Sequence, residues 1–483
     1  MRRWTLLVPA LLLAGPLRAA EAPKKPDMAK QPAVGPMKPF TCPRRERFSL
    51  SNGLPVVLVQ DRRFPLVSAR LTVRGGTALE GQKDAGLVDA FAELWTAGTS
   101  TRSAKEIAFE ADAFGGEIEA EASRDAVILG AFSLSERAER MFALLGEVAL
   151  DAVFPQEEVD LRKKNMLSEL QVDRSEPKFL ASVAFNKKLF GRHPYGVVAP
   201  TEESIARISR DRLRILHKTL LVPSQAMLVV AGDVDRERLA AALESAFSSW
   251  KPASEPPGPP LPGPQAAAGP ERRIVLVDRP GSAQTVLSLG SLALTEASPD
   301  YFKLLAANQI LGGSFAARLM TDLRERKGYT YGVYSRLPAY RSAGVFLVST
   351  QVRTEVTAAA IRDILAQLSR MREEPAGGDE LRQAKNTLAG AFVRRLETQQ
   401  GLADAIVHGL IYDLPEDYLD TYIQKIMAVT LPQVSEAAKA HFHPDNILIT
   451  AVGDAARIAG ELSALSPVPI QRVDENGDDL PKP

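Results

Sequence analysis

The chain has 483 residues, of which 45% are hydrophobic and 6% aromatic, and its 59 Lys+Arg are balanced by 59 Asp+Glu. That length allows two or more packed domains, while the balanced charge, with no basic cluster interleaved with aromatics, argues against nucleic acid as a partner. The single cysteine, Cys42, excludes an internal disulfide and reads as an inert thiol.

In chain order, residues 1–20 place Arg2 and Arg3 ahead of an apolar run that ends in small residues at Ala19 and Ala20. This has the form of a secretory signal peptide and is too short to span a bilayer. Export, most simply to the periplasm, is therefore expected, and no later apolar run is long enough for a membrane helix. Residues 21–44 are a Pro-rich leader, and the Pro-rich stretch 252–271 can continue neither a helix nor a central strand. These segments divide the chain into two bodies, 45–251 and 272–466, followed by an acidic, turn-rich tail, 467–483.

The two bodies resemble each other. PSQAMLVVAGDVD from Pro223 recurs as PDNILITAVGDAA from Pro444, an offset of 221 residues. LRKKNML from Leu161 and LRQAKNTL from Leu381 recur at nearly the same spacing, as do Pro194 and Pro415. Three ordered matches at one offset indicate a duplicated unit, far larger than a solenoid repeat.

Asn52-Gly53 between apolar runs is a hairpin signal. From Leu66 to Arg74 the residues alternate strictly, with Val67, Ala69, Leu71 and Val73 on one face and Ser68, Arg70, Thr72 and Arg74 on the other. That pattern predicts a half-buried strand. After Gly75-Gly76, the spacing of Leu87, Phe91, Leu94 and Trp95 predicts a helix ending by Gly98. Further helices are expected near 135–150 and over 156–170. Strands alternating with helices, together with hairpins, point to an α+β class dominated by antiparallel sheet.

AGLVDAFAELWTAGT, from Ala85 to Thr99, resembles the signature helix of the pitrilysin/insulinase/mitochondrial-processing-peptidase family of zinc peptidases, which carries H-x-x-E-H. SNGLPVVLV, the LSEL around Glu169, HPYG from His193, AGDVD from Ala231 and LGGSFAARLMTDLRERKGYTYGVYS from Leu311 are also similar to family blocks, in the family's order. The resemblance covers about residues 45–465 and implies two homologous α+β repeats.

Where catalytic members have two histidines and a glutamate, this chain has Asp89, Ala92 and Glu93. Zinc peptidases need imidazoles one helical turn apart for the metal and a glutamate to take a proton from its bound water. Glu169 aligns with the family's third ligand. Asp89, Glu93 and Glu169 read either as an all-oxygen set, suited to hard ions rather than zinc, or as a solvated helix face. None of the five histidines, His193, His217, His408, His441 and His443, belongs to a visible zinc set, and no G-x-S-x-G nucleophile motif is present. No cofactor is expected on this chain.

In the second repeat, Ala316, Leu319, Met320 and Leu323 mark a helix face closed by Gly328, and Tyr329 to Ser335 has strand composition. Arg324 and Tyr331 read as a helix-end charge and a strand aromatic. By resemblance they are the pair that family peptidases aim at the scissile carbonyl. Gly312-Gly313-Ser314 reads as a helix N-terminal turn with Ser314 as N-cap, or by resemblance as the glycine-rich loop that touches substrate.

A degenerate zinc motif with an intact Arg/Tyr pair resembles the non-catalytic subunit of heterodimeric family members. The partners so implied are a homologous zinc-bearing peptidase subunit and a peptide or unfolded polypeptide bound by strand addition. The alternative is a structural or chaperone-like protein of the same fold. An autonomous peptidase relying on carboxylate ligands is disfavoured by the zinc chemistry.

Overall fold

Two six-stranded sheets, one per repeat, organise the chain. The computed structural model describes residues 41–251, 263 and 271–481. The expected signal segment, the leader up to Phe40 and the Pro-rich linker apart from Gly263 and Glu271 lie outside the described residues. The first sheet contains β1 (Arg45–Ser49), β2 (Pro55–Gln60), β3 (Leu66–Arg74), β4 (Glu117–Ala122), β5 (Ala126–Leu134) and β6 (Ala226–Gly232), in the order β1-β2-β6-β3-β5-β4. The second contains β7 (Arg273–Asp278), β8 (Gln284–Ala293), β9 (Thr330–Arg336), β10 (Gly344–Arg353), β11 (Leu448–Gly453) and β12 (Gln471–Val473), in the order β12-β7-β11-β8-β10-β9.

Five consecutive strands of each sheet, β2-β6-β3-β5-β4 and β7-β11-β8-β10-β9, follow one path. β3 runs antiparallel to both neighbours, with Leu71 opposite Leu228 and Leu129, as β8 does with Leu287 opposite Ala451 and Thr350. Each sheet has one equivalent parallel pair, β2 with β6 and β7 with β11, and the second sheet adds another, β12 with β7. The class is thus α+β with two pitrilysin-type repeats, and the duplicated peptides from Pro223 and Pro444 run into the equivalent strands β6 and β11.

Local chemistry explains the elements. Alternation places Val67, Ala69, Leu71 and Val73 in the core of the first repeat, against Phe91, Trp95 and Phe142. The predicted helix forms over Leu87–Trp95, and the next two run from Ala138 to Asp151, after a short 3₁₀ turn, and from Gln156 to Ser175.

One expectation is overturned. β3 is buried on both faces, with Ser68 and Thr72 as well covered as the apolar residues. The polar face meets the Gln399–Ile411 helix of the second repeat. Arg70 Nε bonds Asp404 Oδ1 at 2.8 Å, and Arg74 reaches Leu410 O and Asp413 Oδ1, both at 2.7 Å. The cover is reciprocal. The Pro177–Phe190 helix of the first repeat lies on β7, β8 and β11, packing Leu180, Ala184 and Phe185 against Val275, Val286 and Val452. Alternation could not reveal this, because a strand face that meets polar partners in another repeat looks like one that meets water.

The tail holds regular structure: β12 pairs parallel with β7, and the turn that follows it is bound by cations of the first repeat. Arg174 contacts Glu475 at 3.3 Å, Lys187 contacts Asp478 at 2.6 Å, and Lys188 contacts Asp479 at 2.7 Å. Among the described residues, no helix is long and apolar enough to cross a membrane. Cys42 is buried, with Arg45 NH1 at 3.3 Å from its Sγ, and burial pushes its thiol up.

Candidate functional site

The Leu87–Trp95 helix begins at Gly86, whose φ of +90° and close approach to Met166 both favour a residue without a Cβ. Its free N–H groups are met by Glu80, whose carboxyl accepts from Gly86 N at 3.1 Å and from Val88 N. Burial, reinforced by Asp89 and Asp84, pushes Glu80 up to about 8 despite these hydrogen bonds.

Asp89 and Glu93 lie on the exposed side of this helix, whereas Ala92 faces the core. The position of the family's general base is thus occupied by a buried methyl group. Glu169 comes from the Gln156–Ser175 helix, and Arg162 lies two turns before it on the same face. The Arg162 guanidinium bonds Glu93 Oε1 at 2.7 Å and Glu169 Oε1 and Oε2 at 2.9 and 3.0 Å. Only 12% of the Arg162 side chain is exposed. Surrounding protein raises Asp89 and Glu93 above the usual carboxylate range, and Arg162 opposes both shifts.

These residues do not fit the zinc that the family implies. A soft-to-borderline metal would meet carboxylates only, without an imidazole, beside a fixed positive charge. Among the described residues, no group of three or more His, Cys, Asp and Glu side chains could hold a metal ion. Glu93 and Glu169 are instead taken up by Arg162. Arg162 was missed in the sequence, although its spacing from Glu169 placed both on one helix face.

The histidines have other surroundings. His217 Nε2 lies 2.8 Å from Ala149 O among Phe91, Trp95 and Phe154, and burial lowers its pKa. His408 Nε2 lies 2.8 Å from the buried Glu296, which also accepts from the Tyr418 hydroxyl. Burial alone would raise Glu296, but these two bonds hold it below the usual carboxylate range. His193 Nδ1 accepts from Tyr195 N at 3.2 Å, and His443 Nε2 lies 2.8 Å from Ala440 O. Burial lowers the pKa of His441. In HPYG the working group is Tyr195, which is buried, bonds Asp125 at 2.5 Å and Ser342 at 3.0 Å, and is pushed up to about 12 by burial.

The second repeat brings Arg324 and Tyr331 together. Arg324 lies in a π-helical segment, Met320–Arg326, where Lys327 N bonds Asp322 O at 3.2 Å. Such widened turns are frequent at functional sites. Leu319, Met320 and Leu323 are buried as the spacing predicts, but Ala317 rather than Ala316 faces the core. The Arg324 guanidinium sits between two rings, 4.3 Å from the centroid of Phe315 and 5.2 Å from that of Tyr331. Tyr331, on β9, is 90% exposed. Phe315 had no sequence signal beyond its place after the glycines.

Gly312 and Gly313 follow the Tyr301–Leu311 helix as its C-terminal turn. A Cβ on Gly312 would lie 2.7 Å from Ser335 N on β9, so this loop must stay small to pack against the strand. Ser314 is half-buried and starts no helix of its own, which corrects its expected role as an N-cap: the next helical residues begin at Arg318. Its carbonyl instead accepts from Ala317 N at 3.2 Å.

Known proteins agree with this architecture. Residues 55–196 match the insulinase family, peptidase family M16, and residues 207–388 match the peptidase M16 inactive domain. An uncharacterised zinc protease of Bacillus subtilis is 24% identical over 83% of this chain and 97% of its own. A non-peptidase homologue of Helicobacter pylori is 22% identical over 83% of this chain and 92% of its own. A crystal structure of a peptidase M16 inactive domain from Pseudomonas fluorescens superposes with a TM-score of 0.79 at 26% identity, covering 85% of this chain and 98% of the other. With both M16 domains in order and its zinc-motif positions taken by Asp89, Ala92 and Glu93, the chain belongs to peptidase family M16 as a relative of non-catalytic type.

Proposed function

We propose that this chain is the zinc-less subunit of an exported, heterodimeric M16 peptidase, which binds peptide and supplies Arg324 and Tyr331 to a homologous partner bearing H-x-x-E-H. The observation that carries the reading is the contrast between the two repeats. In the first, Arg162 takes up the carboxylates of Glu93 and Glu169; in the second, Tyr331 stands almost fully exposed beside Arg324. An exposed phenol held by a guanidinium is suited to donate a hydrogen bond to an oxyanion that forms on a peptide outside this chain.

β4 and β9 each end a sheet, so either offers unpaired backbone groups to an extended peptide. Tyr331 lies on β9, which would put its hydroxyl beside a strand added there. Zinc and the general base would reside on the partner. Export, to the periplasm in a bacterium with two membranes, rests on Arg2, Arg3 and the apolar run that follows them.

Reconstitution with an exported H-x-x-E-H homologue tests the reading. Tyr331→Phe should lower kcat of the pair by about 100-fold, the scale of a lost oxyanion donor, while leaving assembly and KM nearly unchanged. Unaltered kcat would favour a structural or chaperone-like role instead.

A further inference from the structure

Arg162 binds two of the three acidic groups at the family's metal-ligand positions, Glu93 and Glu169. Its guanidinium joins Glu93 on the Leu87–Trp95 helix to Glu169 on its own helix, with both oxygens of Glu169 engaged. Asp89 also lies within its field. Arg162 Nε is buried and has no hydrogen-bond partner among the described residues. A surface arginine drawn to acids by chance would keep that atom in water; here the head group is pressed into the space between two helices.

We propose that Arg162 is a built-in replacement for the metal: its fixed cation holds the two helices together through Glu93 and Glu169 and excludes divalent ions from the pocket. Two physical properties make it effective. A guanidinium cannot be deprotonated in a protein, so the charge persists at every working pH. Its planar fork divides between the two helices, Nη1 meeting both oxygens of Glu169 and Nη2 meeting Glu93, so neither carboxylate can ligate a metal without breaking this pairing. Restoring the lost ligands would then not restore zinc while Arg162 remains. This holds whether or not the chain assists a partner.

The experiment compares two full-length mature proteins. D89H/A92E/E93H reinstates two imidazoles, a base and Glu169 but keeps Arg162; D89H/A92E/E93H/R162Q also removes the cation. Zinc affinity is measured with Zn²⁺ alone by competition with a chromophoric chelator, and folding by circular dichroism. The first protein should bind zinc about 10- to 100-fold more weakly than the second, the range typical for loss of correct ligand orientation. Tight stoichiometric zinc in the first protein would overturn the proposal, as would equally weak binding in both. R162A serves as a second version of the fourth substitution. If both versions unfold, the triple variant decides alone: refusal of zinc while folded supports the proposal, and tight zinc defeats it.

Discussion

Glu80 lies at the start of the helix that carries the altered motif, and it is buried, with both carboxyl oxygens turned to backbone N–H groups. Its pKa rises from 4.5 to about 8 on folding. Between these values the folded chain keeps a proton that the unfolded chain has shed, so stability falls as pH rises across that window and is level above it. The full effect is up to roughly 5 kcal/mol. Glu80→Gln should remove this slope, so that urea midpoints of variant and parent diverge progressively from pH 5 to 8; parallel profiles would exclude a protonated Glu80. At this scale the sequence was readable where chemistry follows spacing. Asp89 and Glu93 stand on one exposed helix face, as four residues require, and Arg324 meets Tyr331 as the resemblance implied. The roles of Arg162 and Phe315 are not legible in the sequence, because the first depends also on Glu93 of a neighbouring helix and the second on Arg324 beyond its own loop.

The tail acts as a strap between repeats. β12 joins the second sheet, while Arg174, Lys187 and Lys188 of the first repeat hold the acidic turn beyond it. The acidic partners are more than half exposed, so each pair contributes only a few tenths of a kcal/mol up to about 1. Replacing all three cations with alanine should lower stability by about 1–2 kcal/mol in dilute buffer and by little in 1 M salt, where screening shortens to about 3 Å. A loss that persists at high salt would point to packing rather than charge. Elements with strong periodicity, such as β3 and the Leu87–Trp95 helix, were legible nearly to the residue. β12 was not, since three residues of strand inside an acidic stretch carry no period. The π-helical turn escaped for a related reason: an i to i+5 bond differs from the α-helical one by a single residue.

For the molecule as a whole, the decisive feature is the exchange of covering helices between repeats. Duplicated peptides make the two repeats visible in sequence, but which helix covers which sheet depends on contacts between repeats that are distant in the chain, such as Arg70 with Asp404, 334 residues apart. Expressed alone, residues 45–251 would uncover Leu180, Ala184 and Phe185 along with the charged face of β3, and residues 271–481 would uncover Val275, Val286 and Val452. Each half should aggregate or bind a hydrophobic dye, whereas co-expression should recover a soluble pair. Independent folding of either half to a stable monomer would contradict this.

Two copies that lend each other a helix would, as separate chains, meet only as often as their concentration allowed. Joined end to end, they hold one another at a local concentration that dilution cannot lower. A protein released into a large volume outside the cytoplasm would keep both sheets covered there, without a second molecule to find.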